Sequence, residues 1–405
     1  MRSVANHAKE CVNAVGLLPE LEVTLVEAVG CILAEDVCAP FDLPVSDSAA
    51  CDGYALRSAD VRQAHPDSPV ELAVVEQISA GDIRPLSLLS GHAAKVSSGA
   101  TLPSGADAVI AAQYTDGGLA RVQVRSAPAP GENIRRRAED VAAGAPLVRQ
   151  GTRLRSRHIS LLAGAGRERV KVHPRPRVVV ISIGDELVEP GDRPRPGQVF
   201  DVNGHALATA AADLGADVFR VGAVSDQRGA LRSMIADQLV RADLIVTTGG
   251  LSGAEADTVR EVLEPLGDVE FDQVAMWPGR VHGVGHMGDD RTPIMCLPGD
   301  PVAAQVSFAV FVHPAIRAMA GWANKFRPTL HARVDRGWYS PRGRREFVRV
   351  KLEGDPKSGY VARVQGGPHQ LLLSALGRSN ALAVVPEDVT DVSAGDDLVC
   401  ILLDD

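Results

Sequence analysis

The sequence lacks the features that mark several large protein classes. Aromatic residues make up only 4% of the 405 residues, and the six cysteines contain no Cys-x-x-Cys pair, which excludes a thioredoxin-like motif and gives no sign of a zinc cage. No uninterrupted apolar run reaches the ~18 residues that a membrane helix needs, and the N-terminus has no apolar signal-peptide core. We therefore expect a reduced, cytoplasmic chain outside the membrane.

An excess of positive charge is also lacking. With 51 acidic against 42 basic residues, the formal net charge is -9. Bulk attraction to nucleic acid is therefore excluded, and an anionic ligand has to be held by local donors. The composition is otherwise that of an ordinary globular chain, 45% apolar and 23% charged.

Changes of pattern divide the chain into four predicted parts. These are a helical N-terminal and linker domain at 1–44 and 143–176, an inserted β module at 45–142, an α/β domain at 177–323 and a C-terminal β module at 324–405. The helical part is predicted from apolar periodicity at Val4–Val15, Leu25–Leu33 and Gly144–Gly166. We expect the first and last of these segments to pack together. The β modules rest on short β-rich runs between Gly, Pro, Ser and Asp residues.

From Arg177 onward, continuous apolar runs alternate with amphipathic helical segments. This alternation is typical of a parallel sheet that helices cover on both faces. The predicted fold class is therefore multidomain α/β plus β, with one doubly wound α/β domain.

Three predicted strands of the α/β domain end in glycine-containing turns, at Ser182–Glu186, Thr247–Ser252 and Leu297–Pro301. Ligands of doubly wound sheets bind beyond the carboxyl ends of the strands, where glycine lets backbone N–H groups approach an anion. One such turn is more often only a tight turn, but three on one edge favour a binding crevice. Neither G-x-G-x-x-G nor the Walker pattern occurs at these turns, so a dinucleotide dehydrogenase or a P-loop ATPase is not indicated.

Carboxylates accompany the three turns, namely Asp185 and Glu186, then Glu255 and Asp257, and finally Asp300. Acids beside an anion pocket repel the anion unless a divalent cation lies between them, as Mg²⁺ does when carboxylates and substrate phosphates share it. The pattern therefore predicts a metal-assisted phosphate reaction. For any single one of these acids, a role at a helix start is an equal alternative.

Eight motifs follow one another along the chain: S-A-A-x-D-G-Y-A at 48–55, S-G-A-x-L-P-x-G-A-D-A-V at 98–109, G-E-N-I-R-R-R-x-E-D at 131–140, G-D-E-L at 184–187, D-x-N-G at 201–204, T-T-G-G-x-S at 247–252, E-A-D at 255–257 and L-P-G-x-P-V at 297–302. In this order they resemble the MoeA family of molybdopterin molybdenumtransferases, which includes the catalytic domain of gephyrin. The resemblance covers essentially the whole chain and implies that the α/β domain is similar to MogA and MoaB.

The resemblance implies a reaction in which adenylylated molybdopterin and molybdate give molybdenum cofactor and AMP, assisted by Mg²⁺. It implies a homodimer whose active site lies between the α/β domain of one subunit and the β module of the other. It also implies two kinds of protein partner, a molybdopterin adenylyltransferase and the proteins that accept the cofactor.

Matched residue by residue, the resemblance implies catalytic roles for Asp52, Asp140, Glu186 and Asp257, of which Glu186 and Asp257 would hold the metal. It implies substrate contacts at Ser98, Ser252, Arg280, Pro298, Pro301 and Ser374. The glycine turns add Gly249, Gly250, Gly299 and Asp300 as predicted contacts of the anion.

Several residues depart from the common family pattern. Trp277 and Arg280 stand where two lysines are common, Asp300 stands where Asn is usual, and Ala303 stands where Ser often follows. These changes reduce the predicted anion affinity. Protonated His282 and His286 would restore charge, although an isolated histidine is more often a structural or surface residue. Two alternatives therefore stay open: a catalytically weakened paralogue that acts as a molybdopterin-binding or scaffold protein, and an enzyme that prefers another oxyanion such as tungstate.

Overall fold

The structure, a computed structural model, describes residues 1–251 and 257–404, with the backbone alone at 257 and 258. The chain forms two compact units. Unit 1 comprises Met1–Glu35, Gly151–Arg155 and Arg169–Asp405, and unit 2 comprises Asp36–Gln150 and Ser156–Glu168. These units are coarser than the four predicted parts, whose boundaries stay a prediction.

Unit 1 begins with helix α1 (Val4–Ala14), as the periodicity predicted. Ser3 caps the helix, since its hydroxyl accepts the N–H of Asn6 at 3.2 Å. The buried face of α1 packs into the core of the α/β sheet in the same unit through Val4, Ala8 and Cys11. The expected packing of α1 against the helix of the 144–166 segment stays a prediction.

The strands β1 (Leu21–Thr24) and β2 (Ile32–Leu33) follow. The helix predicted at Leu25–Leu33 is wrong, and the segment consists of turns that end in β2. Thr24 starts the first turn by donating its N–H and hydroxyl to the Glu27 carboxylate at 2.9 and 2.8 Å. Gly30, at φ 86°, has a left-handed conformation that a helix does not contain.

Unit 2 is built mainly from short strands. They are β3 (Val37–Cys38), β4 (Ser48–Ala49), β5 (Gly53–Leu56), β6 (Val70–Ile78), β7 (His92–Val96), β8 (Ala108–Ala111), β9 (Arg121–Val124), β10 (Ile134–Arg135) and β11 (Pro146–Val148), followed by helix α2 (Ser156–Gly164). Five of the strands form a sheet of order β8-β5-β7-β6-β9, in which only β6 and β7 run parallel. Tyr54 and Ala55 enter opposite cores, so both faces of this sheet are covered.

The rest of unit 1 begins with the α/β part. Its strands are β12 (Arg169–His173), β13 (Arg177–Ile183), β14 (Leu187–Val188), β15 (Val199–Phe200), β16 (Asp217–Val224), β17 (Leu244–Thr248), β18 (Gly267–Gln273), β19 (Met276–Trp277), β20 (Val281–Met287) and β21 (Thr292–Leu297). Its helices are α3 (Val202–Asp213), α4 (Arg228–Leu239), α5 (Asp257–Leu263), α6 (Pro301–Ser307) and α7 (His313–Met319). Strand β12 completes a small antiparallel sheet with β1 and β2.

The main sheet has the order β16-β13-β17-β21-β20-β18. Val178 and Val180 face the core that holds α1, α3, α6 and α7, and Val179 faces the core that holds α4 and α5, which confirms the doubly wound fold. The sheet is not wholly parallel, because β20 and β18 are antiparallel additions. Glycines in these two strands disfavour a strand prediction from the sequence. Gly285 is nevertheless needed, because a Cβ at this position would overlap the carbonyl oxygen of Asp268.

The C-terminal part of unit 1 is a closed barrel. Its elements are β22 (Thr329–Val334), β23 (Trp338–Tyr339), β24 (Arg345–Asp355), β25 (Gly359–Val364), α8 (Leu373–Leu376), β26 (Ala381–Val385), β27 (Asp391–Val392) and β28 (Asp397–Leu402). Strands β24, β25, β22, β28 and β26 pair in a ring that closes from β26 to β24. Strand β19 adds to this ring in parallel, with Trp277 opposite Glu346, so the barrel continues directly from the α/β part.

The helical run Pro301–Met319 is long and apolar enough to cross a membrane by length and composition. However, 83% of its most apolar stretch is buried within the chain, which is typical of a core helix. The run contains a π-helical segment, Phe308–Val312, between α6 and α7. Pro314 explains this segment, because a proline inside a helix removes one N–H donor and crowds the preceding turn.

Two buried histidines, His7 and His282, pack their rings against Phe311 in the core of unit 1. Burial lowers the pKa of His7 to about 4 and that of His282 to about 3. The Nε2 atom of His282 lies 2.8 Å from the hydroxyl of Ser307. His282 is therefore a neutral core residue, and it does not supply the positive charge that the sequence departures remove.

Acid is expected to destabilise unit 1 through these histidines. Because their folded-state pKa values lie below the unfolded value of 6.5, the unfolded chain binds more protons and stability falls as the pH drops below 6.5. Between about pH 7 and pH 5, we expect the thermal unfolding midpoint of His7→Phe to fall by less than that of the wild type. The matched change His65→Phe, at an exposed histidine, should leave the pH dependence unaltered, and an equal loss in His7→Phe and wild type would contradict the prediction.

Candidate active site

The order of the sheet brings the three glycine turns together. Strands β13, β17 and β21 are neighbours and parallel, so their carboxyl ends share one edge. Gly249 lies against the first turn, since a Cβ there would overlap the carbonyl oxygen of Ile183. Gly299 lies against the second turn, since a Cβ there would be 3.3 Å from the Cα atom of Gly249. We call this edge the crevice, and it forms where the sequence predicted it.

Asn203, in the first turn of α3, holds two of the turns in register. Its side-chain amide donates to the hydroxyl of Thr248 at 3.0 Å and to the carbonyl oxygen of Gly299 at 2.8 Å. The Thr248 hydroxyl in turn donates to the carbonyl oxygen of Pro298 at 2.8 Å. These buried bonds fix the shape of the crevice, and neither residue was among the predicted site residues.

Asp201 ties the start of α3 to the first turn. Its fully buried carboxylate accepts the Ser182 hydroxyl at 2.7 Å, the Gly204 N–H at 2.8 Å and Nη1 of Arg220 at 3.0 Å. Arg220 also pairs with Glu189, whose carboxylate raises the pKa of the guanidinium. A buried carboxylate is tolerated only when it is paired and hydrogen-bonded in this way.

The backbone N–H groups of the glycine turns have different partners. The N–H of Gly249 donates to the carbonyl oxygen of Leu297 at 3.3 Å, and the contact of Gly249 with an anion stays a prediction. For the N–H groups of Gly250 and Gly299, no acceptor occurs among the described residues. These two groups are backbone donors that an anion can use.

Asp300 caps α6 instead of facing the crevice with a free charge. Its Oδ1 atom accepts the N–H groups of Val302 and Ala303 at 3.0 and 2.9 Å. Pro301, at the first helical position, fixes the start of the helix, as predicted. The negative charge of Asp300 is therefore partly offset by the positive end of the helix.

The Trp277–Arg280 loop lies against the Pro298 turn. Gly279 has φ 82°, and a Cβ there would be 3.1 Å from Cγ of Pro298 and 3.3 Å from the Ser307 hydroxyl. The exposed Arg280 side chain donates to Oε1 of Gln273 at 2.5 Å. The loop therefore closes one side of the crevice and carries Arg280 at its rim.

Ser374 occupies the opposite, barrel part of unit 1. It lies exposed in α8, and α8 packs against α6, the helix that begins at Pro301. Ser374 therefore lies on a helix that touches α6, and its contact with the substrate stays a prediction.

Arg349 is a further charged residue near the crevice. It is fully buried in β24, and its Nη2 atom donates to the carbonyl oxygens of Gly367, Pro368 and Gln370 at 2.9, 3.1 and 2.8 Å. Its Nε and Nη1 atoms have no hydrogen-bond partner in the described part of the chain. Burial lowers the pKa of Arg349, which the charges of Glu346 and Asp300 counteract.

Of the two predicted metal ligands, the structure describes the side chain of Glu186 alone. Glu186 is exposed after β13, with its carboxylate folded back beside Gly184. The side chain of Asp257, at the start of α5, and the whole of Ser252 lie outside the described residues. Within the described part, no group of three or more His, Cys, Asp and Glu side chains could hold a metal ion. The exposed Glu186 carboxylate is of the type that a cation such as Mg²⁺ binds together with water and substrate phosphate.

The remaining predicted residues lie in unit 2. The N–H of Ser98 donates to Oδ1 of Asp52 at 2.7 Å, and the Ser98 hydroxyl donates to the carbonyl oxygen of Ala50 at 3.3 Å. Asp140 follows β10, and its N–H donates to the carbonyl oxygen of Leu43 at 3.1 Å. All three side chains, Asp52, Ser98 and Asp140, are exposed. The structure thus brings Asp52 and Ser98 together, and a backbone hydrogen bond to Leu43 fixes the main chain at Asp140.

Comparisons with known proteins agree with this geometry. Three family models match in order: the MoeA N-terminal region (domain I and II) at 2–166, a probable molybdopterin binding domain at 179–318 and the MoeA C-terminal region (domain IV) at 331–403. Molybdopterin molybdenumtransferase 2 of Mycobacterium tuberculosis (strain ATCC 25618 / H37Rv) is 39% identical over 404 residues, covering 98% of either chain.

Two other matches cover the same length. Molybdopterin molybdenumtransferase 1 of that strain is 40% identical over 417 residues, covering 98% of this chain and 97% of the relative. The crystal structure of the molybdopterin biosynthesis MoeA protein from Pyrococcus horikosii has a TM-score of 0.83 at 30% identity, with 100% of this chain and 99% of that chain covered. The chain therefore belongs to the MoeA family of molybdopterin molybdenumtransferases and is an enzyme of molybdenum cofactor biosynthesis.

Proposed function

We propose that this chain transfers molybdenum from molybdate into adenylylated molybdopterin and releases AMP. The observation that carries the proposal is the crevice that Asn203 and Thr248 hold together, in which the N–H groups of Gly250 and Gly299 have no acceptor among the described residues. Cleavage of a phosphoanhydride spreads negative charge over phosphoryl oxygens, so fixed donors and local positive charge assist it more than a nucleophilic side chain would. Molybdate is itself a dianion and needs the same kind of site.

We propose Mg²⁺ as the assisting cation, with Glu186 and Asp257 as its protein ligands. When bound, the cation would neutralise part of the charge on the phosphate being cleaved. Glu186 supports this assignment because its exposed carboxylate lies at the first turn, where the substrate phosphates would complete the shell.

We propose a homodimer in which Asp52, Ser98 and Asp140 of one subunit complete the crevice of the other. The exposure of the three side chains supports a role toward a ligand or a partner subunit. The bond between Ser98 and Asp52 supports it as well, because it fixes the Asp52 carboxylate in one orientation. A molybdopterin adenylyltransferase would supply the substrate, and molybdenum-dependent enzymes would accept the product.

The departure at Asp300 does not by itself favour a weakened paralogue. Asp300 adds a formal negative charge, but its carboxylate is bound to the start of α6. Arg349 provides a buried positive charge whose pKa responds to Asp300. A scaffold role and a preference for tungstate are retained as outcomes of the tests below.

Glu186→Gln should abolish most of the activity. We expect the rate of AMP release from adenylylated molybdopterin, with Mg²⁺ and molybdate present, to fall by about 100-fold or more, because a neutral amide is a poor ligand for a hard cation. Asp185→Asn, which neutralises the adjacent exposed carboxylate, is the matched control and should change the rate by less than about threefold.

Equal rates in Glu186→Gln and wild type would refute the assignment of the metal ligand. Wild-type protein that binds the pterin but releases no AMP would favour the scaffold alternative. Faster release with tungstate than with molybdate would favour the other oxyanion.

Mixing two inactive variants should restore part of the activity if the site is shared between subunits. We expect Asp52→Asn and Glu186→Gln to be inactive alone, whereas mixed dimers hold one site with neither substitution. After subunit exchange at equal concentrations, AMP release should recover to roughly a quarter of the wild-type rate, because half of the dimers are mixed and each has one intact site of two. No recovery, with mixed dimers verified by two different affinity tags, would contradict the shared site.

A further inference from the structure

One arginine joins the two ends of the segment that carries Glu186. At the start of the segment, the Ser182 hydroxyl donates to the buried Asp201 carboxylate at 2.7 Å. At its end, Arg220 of the edge strand β16 donates to both oxygens of Glu189, from Nη1 to Oε1 at 2.9 Å and from Nη2 to Oε2 at 2.8 Å. Nη1 of Arg220 also donates to Oδ2 of Asp201 at 3.0 Å. We call Arg220, Glu189 and Asp201 the arginine clamp.

The geometry of the arginine clamp restricts motion. A guanidinium that bonds both oxygens of a carboxylate fixes the direction of the pair as well as its distance. The Arg220 side chain is 24% exposed and the Asp201 side chain 1%, so water screens this pair little. Gly222, also in β16, leaves room for Glu189, since a Cβ there would be 3.2 Å from its Oε1 atom. The bond from Arg220 holds the pKa of Glu189 below its usual range, so the carboxylate is ionised at neutral pH.

The Glu186 side chain depends on its main chain for its position. Its carboxylate has no hydrogen bond or ion pair within the described part of the chain. The backbone here is held by a short ladder, in which the Val199 N–H donates to the carbonyl oxygen of Glu186 at 2.9 Å and the Asp201 N–H donates to that of Val188 at 2.8 Å. The strands β14 and β15 pair over only two residues each, and so short a pair is marginally stable by itself. The arginine clamp closes the base of this ladder.

We propose that Arg220 is a positioning residue that fixes the Glu186 carboxylate at the first turn of the crevice. This inference rests on the proposed function, in which Glu186 is a ligand of the assisting cation. A site whose ligands are ordered before binding loses less free energy to ordering when it is filled. Arg220 acts through Glu189 and Asp201, and this role needs no contact between the guanidinium and the substrate.

Two variants weaken the arginine clamp without leaving a buried charge unpaired. Arg220→Lys keeps a cation near Asp201 but cannot make the two-pronged bond. Glu189→Gln leaves the bond between Arg220 and Asp201 in place and removes the charge at the other end. The matched control is Arg177→Lys, because Arg177 makes a similar two-pronged bond to Asp243, from Nε to Oδ2 at 3.1 Å and from Nη2 to Oδ1 at 2.7 Å. Arg177 begins β13, at the end of the strand away from the crevice.

Two measurements on the full-length chain test the proposal. In hydrogen–deuterium exchange without ligands, both clamp variants should exchange the amides of 184–201 about tenfold faster, because this segment then opens more easily. In the AMP-release assay, both should raise the Mg²⁺ concentration for half-maximal rate about fivefold, because a smaller fraction of molecules has Glu186 in the binding position. The rate at saturating Mg²⁺ should change by less than about twofold, since excess cation restores that fraction. Arg177→Lys should leave both readouts at the wild-type value.

The outcomes separate this inference from the proposed function. Unchanged exchange at 184–201 in both clamp variants would overturn the inference, and so would faster exchange with an unchanged requirement for Mg²⁺. A similar rise in that requirement in Arg177→Lys would overturn it as well, because the effect would not be specific to the clamp. In each of these cases an active wild type leaves the transferase proposal standing. Absence of AMP release by the wild type would overturn both proposals, whereas Glu189→Gln decides the matter if Arg220→Lys fails to fold.

Discussion

The site depends on one constraint, the fixed spacing of the turns that end β17 and β21. The amide of Asn203 reaches both turns, and the hydroxyl of Thr248 adds a second bond to the same pair. The turns can approach this closely only because Gly249 and Gly299 have no side chains. Replacing either glycine would push the turns apart and would strain the bonds from Asn203 and Thr248.

The same constraint explains how a chain with net charge -9 can hold an anion. Within the crevice, the carboxylates of Asp201 and Asp300 are both satisfied by neighbouring donors and do not stand free against a ligand. Positive charge comes from a buried guanidinium, Arg349, where the low local dielectric strengthens its field. Anion binding therefore depends on where a few charges are buried and not on the total charge.

Local patterns predicted the parts of the fold that depend on nearest neighbours. Apolar runs bounded by glycine identified β13, β17 and β21, and the glycine turns after them indicated the crevice. The helix predicted at Leu25–Leu33 is wrong because Thr24 and Glu27 close a turn, and apolar periodicity does not detect such a turn. Arg349 and Asn203 could not be assigned by such reasoning, since their partners come from distant parts of the chain and depend on the order of the sheets. Strand β24 also carries Arg345, Lys351, Glu353 and Asp355, so its sequence does not single out Arg349.

The addition of β19 to the barrel gives the departure at Trp277 a structural meaning. Because Trp277 is the register partner of Glu346, residue 277 is fixed beside the barrel and cannot move independently of it. The ring at 277 packs its edge against the His369 ring, with centroids 6.4 Å apart. The Oε1 atom of Glu346 lies 3.2 Å from Nε2 of His369, so the residue that replaces the common lysine and the histidine both lie beside the same buried carboxylate.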